Sequence, residues 1–444
     1  MRIRLPVLLA LLWLCAFGAQ AETPLPHRAH GVSVGTVNCS SSTCHGSVRP
    51  WEGSHVLQNE YTTWLRLDPH AKAEEVLLSP ASARIAKNLG LRESAENAQV
   101  CLDCHSHNPS GPRGERFQIA EGVTCEGCHG PAGDWIGSHT ESGATHAGNI
   151  AKGLYTTDEP LARARLCLSC HLGDATRPMT HRIMGAGHPR LSFELRTFVA
   201  LEPAHYRVDA DYRERKGAPD ALATWAVGQA VAAQSILAIV GDPARRDGLF
   251  PELVAFDCHA CHHPMSEQRW SPRLGIGPGR VRMNDSHLLM LRAVVRATLP
   301  SRSADFDVSV RAMHRGVSTG ELPPGKNATD VVRELSARID VLLPILAASR
   351  YDAAMMRAIL AALVDEATAP VYSDYAGAEQ AVMAINGLAV DLRAQGVLPA
   401  DAAVDAALAR LLAVLAHEEH YSPGNFSRAL AALRASLRTD AGRS

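Results

Sequence analysis

Gly122-Val123-Thr124-Cys125-Glu126-Gly127-Cys128-His129-Gly130-Pro131 sets two cysteines three positions apart, with a histidine directly after the second. The same C-x-x-C-H pattern returns at Cys101/Cys104/His105, Cys167/Cys170/His171 and Cys258/Cys261/His262. A further pair, in Cys39-Ser40-Ser41-Ser42-Thr43-Cys44-His45, keeps the terminal Cys-His but lengthens the loop to C-x4-C-H. The chain has 11 cysteines, and only Cys15, in an N-terminal apolar stretch, falls outside these pairs.

The spacing has a chemical reason. Two nearby cysteines form thioethers with the two vinyl-derived arms of a porphyrin, and the next residue, histidine, then lies under the ring as proximal iron ligand. Two other readings compete. A disulfide framework suits an exported protein but does not require histidine after each second cysteine. A zinc knuckle uses C-x-x-C pairs, yet the following histidine would again be incidental. Four repeats of the full motif therefore predict haem c at Cys101/Cys104, Cys125/Cys128, Cys167/Cys170 and Cys258/Cys261, with His105, His129, His171 and His262 on iron. The longer Cys39/Cys44 loop with His45 predicts a fifth haem c, against the alternative of a small disulfide loop.

An iron with two axial imidazoles needs a second histidine, and the chain has 21. His70, in Asp68-Pro69-His70-Ala71-Lys72-Ala73, opens a helix among small residues that leave room for a flat ring. His139 follows the Cys125/Cys128 motif. His188 sits in Gly185-Ala186-Gly187-His188-Pro189-Arg190, where glycine permits close approach, and His181 lies seven residues earlier. These four are the expected distal ligands. The fifth is left among His55, His205 and His287, or an open iron. His107 and His263 lie too near their own motifs to reach the opposite face of the same ring, which leaves them only a neighbouring haem to serve.

The 444 residues carry a formal charge of −2, which gives no basic footprint for nucleic acid. Aromatics make up only 5% of the chain, so part of the core is expected to come from something other than side chains. Arg2 and Arg4, the apolar run Leu5 to Phe17, and Ala19-Gln20-Ala21 read as a secretory signal cleaved near Ala21. A lipobox at Cys15 is disfavoured by bulky Leu14. The uncharged stretch 221–241 is long enough to span a membrane, but Gln229 and Gln234 favour a buried helix.

The pattern divides the chain into a signal peptide (1–21), a pentahaem cytochrome domain (22–290) and a C-terminal helical bundle (291–444). The fold class is mainly α. In the cytochrome domain, helices are expected at 57–67, 70–78, 80–89, 92–104, 159–170 and 219–240, joined by long Gly- and Pro-rich loops and wrapped around covalent haems. No period-2 strand pattern is visible. Residues 285–299, 329–348, 351–367, 374–395, 401–418 and 424–438 are Ala- and Leu-rich with helical spacing, and Gly396 stands where a helix would stop. His417-Glu418-Glu419-His420 reads as a solvated helix end rather than a metal site.

The run Gly122 to Pro131 and the Asp-Pro-His-Ala-Lys-Ala stretch at His70 resemble the cytochrome c-554 family of multihaem electron carriers. Gly-His-Pro-Arg-Leu at His188 and Asp-Cys-His-Ala-Cys-His-His at 257–263 look like larger bacterial relatives. The resemblance covers roughly 35 to 290. It implies closely packed haems in stacked and edge-on pairs, a helical wrap, and electron relay in the periplasm. His/His ligation gives lower potentials than His/Met, so exchange of electrons with periplasmic redox proteins or membrane quinol-oxidising complexes is expected. The best-known members carry four haems, one with an open iron. The fifth motif and the C-terminal region depart from that pattern. An enzyme acting on a small nitrogen or sulfur compound at one open haem is the alternative function, although no C-x-x-C-K motif is present.

Overall fold

The computed structural model describes residues 23–174, 176–247, 250–262, 276–277, 280–366 and 371–441. The signal-peptide reading and His263 lie outside the described residues. The fold is mainly helical, and its one sheet among the described residues is a two-stranded pairing of Arg246–Asp247 with Phe250–Pro251.

The first half is built of short helices joined by loops. They are α1 (Glu60–Leu67), α2 (Pro80–Leu89), α3 (Gln99–His105), α4 (Cys125–His129), α5 (His146–Ala151), α6 (Pro160–His171), α7 (His181–Gly185), α8 (Leu195–Leu201) and α9 (Ala210–Lys216). Local chemistry sets their ends. Ser79 caps α2 by accepting from the Ser82 N–H at 3.1 Å, Pro80 occupies its first turn, and Gly90 ends it in the left-handed region at φ 72°. The expected helix over 70–78 is instead two 3₁₀ turns, Pro69–Lys72 and Glu75–Leu78. Asp68 ties the first of these by accepting from the His70 N–H at 2.9 Å. The expected 92–104 helix begins only at Gln99, after a 3₁₀ turn at Ala95–Asn97.

The second half packs long helices: α10 (Ala221–Gly241), α11 (Ser286–Thr298), α12 (Pro300–Ser318), α13 (Ala328–Ala348), α14 (Ala353–Asp365), α15 (Tyr375–Ala394), α16 (Ala402–Ala413) and α17 (Pro423–Ala441). Acidic and amide side chains start them. Asp220, Asp352, Asp374 and Asp401 each accept from N–H groups of the first turn, and Asn327 with Asp330 forms a full capping box on α13. α12 was not expected from the sequence. Pro300 reads as a stop after α11, but proline is equally at home in a helix's first turn, where its missing N–H costs nothing.

α10 lies at the centre of the apolar core. It packs on α13, α6, α11 and α8, with Trp225, Leu222 and Leu237 fully buried. By length and composition it could cross a membrane, yet 83% of its apolar stretch is buried inside the protein. Its polar Gln229 is satisfied there: it donates to Gln380 at 3.0 Å and lies 2.8 Å from His287 Nδ1. Residue 290, the boundary expected between cytochrome and bundle, lies inside α11, and the core continues across it from α10 to α17.

Candidate cofactor-attachment sites

A cysteine at position i of a helix shares a face with residues i+3 and i+4. α3 and α4 hold their whole motifs this way, and α6 ends on Cys167, Cys170 and His171. The Cys258 motif occupies a 3₁₀ turn, with the His262 N–H donating back to the Cys258 carbonyl at 2.7 Å. The longer Cys39 loop reaches the same closure by another route. The Cys44 N–H bonds Ser41 O at 2.9 Å, and the His45 N–H returns to Cys39 O at 3.1 Å. The added residues are absorbed in a turn, so Cys-His still closes on the first cysteine. No two of these ten cysteines are joined in the structure, Cys39 and Cys44 included.

Cys261 departs from the pattern. Nine of the ten are half-buried, but Cys261 is exposed. His262 beside it is exposed as well. The reason lies in the local backbone. Cys101, Cys125 and Cys167 open motifs carried within helices, whereas Cys261 only follows a three-residue 3₁₀ turn, Cys258–Ala260. Such a turn is too short to lay a continuous face against a neighbour. Exposure does not remove Cys261 from the attachment set. A thioether needs an accessible sulfur rather than a buried one, and Cys258, half-buried one turn earlier, still supplies the second sulfur.

Each motif histidine faces a second imidazole. His45 and His139 have ring centroids 6.2 Å apart, His105 and His188 6.3 Å, and His129 and His205 6.3 Å. His171 and His70 stand 5.9 Å apart, and His262 and His181 6.1 Å. A metal–imidazole bond of about 2 Å, with the ring centroid about 1 Å further back, puts two imidazoles on one metal roughly 6 Å apart. All five separations fit that value. Separation alone is no proof, since the exposed rings of His417 and His420 are 5.9 Å apart on a 3₁₀ turn with no motif cysteine in their segment. The cysteine pair beside each of the five makes the difference.

The three histidines left open for the fifth partner are now separated. His205 faces His129. His55 is exposed and pairs with Asp209 at 3.2 Å. His287 is buried against Gln229. His107 is also buried, 3.0 Å from Ser33 Oγ.

Electrostatics favour the ligating form of several rings. Burial holds His129 and His171 down to about 4, and burial likewise lowers His105, so these imidazoles are neutral at neutral pH. Nδ1 hydrogen bonds fix other rings and leave Nε2 for a metal. His105 Nδ1 lies 2.9 Å from Ala73 O, His139 Nδ1 2.6 Å from Ile136 O, and His188 Nδ1 2.8 Å from Pro189 O. Two rings have carboxylate partners, which the sequence did not disclose. His45 Nδ1 lies 2.9 Å from Glu60, and His70 Nδ1 2.9 Å from Asp68. Each bond raises the pKa of its histidine. Burial opposes ionisation of Asp68, but hydrogen bonds from the His70 ring and backbone outweigh it and hold the carboxyl low.

The sites are also tied to one another. The Cys39 and Cys125 thiols lie close enough to perturb each other, as do Cys104 and Cys170. Glu126, inside the Cys125 motif and 2% exposed, accepts from the N–H groups of Val34, Gly35 and Ala132 at 2.8 Å each. It thereby pins the segment leading into Cys39. α7 carries His181, and His188 follows it closely. The Cys258 motif is fixed to the C-terminal helices by Arg282, whose guanidinium donates to Asp257 at 2.8 Å and to Ser373 at 2.6 Å.

Residues 38–130 match the family model for cytochrome c554 and c-prime. No curated protein and no solved structure matches the chain. The matched segment spans the first three motifs, and together with the paired cysteines beyond it implies haem c binding and a multihaem electron-transfer cytochrome.

Proposed function

We propose that this chain is an exported electron-relay cytochrome holding five haem c groups, each between two histidines. One observation carries the reading: every one of the five motif histidines faces a second imidazole at the separation two ligands of one metal require. The cysteines that would hold the groups are Cys39/Cys44, Cys101/Cys104, Cys125/Cys128, Cys167/Cys170 and Cys258/Cys261. The axial pairs are His45/His139, His105/His188, His129/His205, His171/His70 and His262/His181.

Haem c supplies a one-electron ferric/ferrous couple when bound. The protein's part is to hold it without rearrangement. Two imidazoles fixed by helices and Nδ1 bonds keep the same positions in both oxidation states. Adjoining cysteines at the first and third sites, and at the second and fourth, bring neighbouring attachment points together. The helix that carries His181, with His188 just beyond it, links the fifth site to the second. Cys128 lies close enough to Cys167 and Cys170 to be perturbed by them, which joins the third site to the fourth, and the resulting row suits transfer from group to group. It gives less support to catalysis on a small nitrogen or sulfur compound, which needs one iron face free. The signal-like N-terminal sequence supports a periplasmic relay, and other redox proteins or membrane quinol-oxidising complexes are the partners such a relay would serve.

Spectroscopy on the mature holoprotein tests this. A pyridine haemochrome assay should count five haems, and the ferric protein should be low-spin throughout and indifferent to nitrite, hydroxylamine or nitric oxide. A count of four would remove the Cys39/Cys44 group. A ferric high-spin signal that responds to small ligands would turn the reading towards an enzyme.

A further inference from the structure

Among the described residues, only two of the ten facing imidazoles have a carboxylate behind Nδ1. Glu60 stands behind His45 and Asp68 behind His70, each at 2.9 Å. Both acids belong to one short element. Glu60 is the first residue of α1, and Asp68 is the residue that ends it. His105, His139 and His188 use neutral backbone carbonyls at the same position.

We infer that Glu60 and Asp68 are positioning residues that lower the reduction potentials of the His45/His139 and His171/His70 sites, making these the last two of the five to accept an electron. The inference rests on the two-histidine reading above. A carboxylate at Nδ1 draws the N–H proton towards itself and makes the ring more basic and more anionic. The more anionic ring favours ferric over ferrous iron, because the oxidised metal carries one more positive charge. A carbonyl holds the same proton without a full charge behind it. Reduction of each site adds one electron to iron and breaks no bond; in a titration the electron comes from dithionite, which is oxidised to sulfite. α1 thus sets two of the five potentials from its two ends. The order that follows has consequences for the relay: the second, third and fifth sites fill first, and the first and fourth stay oxidised until the reductant is strong.

Asp68 also accepts from the His70 backbone N–H at 2.9 Å, so it has a structural role as well. Asp68→Asn and Glu60→Gln keep an acceptor oxygen and remove only the charge, which separates the two roles. The experiment is a potentiometric titration of the holoprotein with dithionite, each low-spin ferric signal followed by electron paramagnetic resonance. The ring planes supply the assignment. His45 and His139 are 14° apart, whereas His70 and His171 are 86° apart. Near-parallel axial rings split the iron d orbitals, and near-perpendicular rings leave two of them almost degenerate; the His262/His181 planes, 36° apart, fall between, so the first site has the most strongly split signal of the five.

In Glu60→Gln, the ferric-to-ferrous ratio of the near-parallel signal at a fixed potential should fall at least tenfold, about 59 mV for one electron. The other four signals should stay where they were. Asp68→Asn should do the same to one near-perpendicular signal. No shift, a shift towards ferric, or an equal shift of all five overturns the inference. If a variant loses its haem, the wild type decides: the near-parallel signal must be among the last two to disappear, and its loss among the first three overturns the inference. A high-spin ferric signal in the wild type would strike down the two-histidine reading instead, whereas five low-spin signals with no shift would strike down only the role of the carboxylates.

Discussion

The described residues on either side of residue 221 bury apolar surface in different ways. Beyond it, α10 to α17 share one continuous core in which Trp225, Leu335, Ile359, Leu388 and Leu430 are all but inaccessible. Before it, the only separate apolar cluster is Leu77, Ala86 and Ala95. Large apolar side chains there stand at the surface instead: Val48 is 71% exposed, Leu67 67%, Leu78 65% and Leu201 73%. Each fully buried Leu or Val contributes about 1.5–3 kcal/mol, so a segment that withholds them is short of its main stabilising term. The N-terminal half concentrates all ten motif cysteines but the last pair, and a porphyrin is a broad apolar plate. The contrast teaches that this half is organised around what its cysteines hold, and the other half around itself.

The largest expected effect breaks the two halves apart. Chain produced without covalent haem attachment should lose amide-exchange protection across α1 to α5, α7 and α9, while α10 to α17, with α6 and α8 packed on α10, keep theirs. A chain equally protected in both halves would show that the N-terminal half needs no cofactor core. Helical content by circular dichroism should fall only in part, because the longest helices lie beyond residue 221.

Next in size is the tie, at Arg282, that fixes the one motif lying within the second half. Its guanidinium, 2% exposed, bridges Asp257 beside the last motif and Ser373 of the C-terminal half. Arg282→Met leaves the Asp257 carboxylate buried and unpaired, and breaking such a pair costs about 3–5 kcal/mol. The urea midpoint should drop accordingly, and the haem at Cys258/Cys261 should become the most easily displaced from low-spin coordination. A midpoint within about 0.5 kcal/mol of wild type, the range of ordinary surface substitutions, would mean that the tie bears no strain.

Much of this comparison was legible in the sequence, and the limits are physical. The motif cysteines and their histidines are fixed by local covalent spacing, so they could be read directly. The exposure of Cys261 could not, because its spacing is the same as that of half-buried Cys104, Cys128 and Cys170, and spacing alone does not say whether a helix or a short 3₁₀ turn carries the motif. Helices over 221–241, 328–348 and 375–394 were visible because their apolar stretch or helical spacing is local, and the caps at Asp220, Asn327 and Asp374 that fix their starts came only with the structure. Distal partners are a property of tertiary packing. His45 meets His139 and His129 meets His205 across long stretches of chain, and nothing local distinguishes His205 from His55 or His287. Pro300 was ambiguous because the same residue can stop one helix or open the next. The carboxylates behind His45 and His70 were hidden for a related reason: Glu60 reaches His45 through the fold, although Asp68 was close enough to His70 for its cap to have been suspected.

A smaller effect probes the C-terminal half through His287. Burial lowers its pKa to about 4, against an ordinary value of 6.5. The unfolded chain therefore binds this proton more readily than the folded one between those two values. Stability is fully present above pH 6.5, falls as pH drops through the window, and levels out below about 4. At about 1.4 kcal/mol per unit, the loss across the window is roughly 3 kcal/mol. His287→Gln keeps an acceptor and donor near Gln229 but cannot titrate, so its stability should be flatter between pH 6.5 and 4. An unchanged slope in denaturant titrations at both ends of the window would remove His287 as the acid-sensitive group.

The smallest effect tests how finely that half is specified by local rules. Gly396 follows α15 at φ 69°, with its N–H on the Arg393 carbonyl at 2.9 Å. No heavy atom lies within 4 Å of where a Cβ would stand, so Gly396→Ala meets no clash. What it meets is the left-handed backbone, which an L side chain resists by about 1 kcal/mol. That difference should appear as a small fall in the stability of the C-terminal helices with the haem spectrum unchanged, since the residue stands far along the chain from every motif. A loss several times larger would mean that the turn after α15 carries packing as well as conformation. No loss at all would mean that the turn relaxes to a right-handed form, and that the helix stop is set by the chain beyond it rather than by glycine.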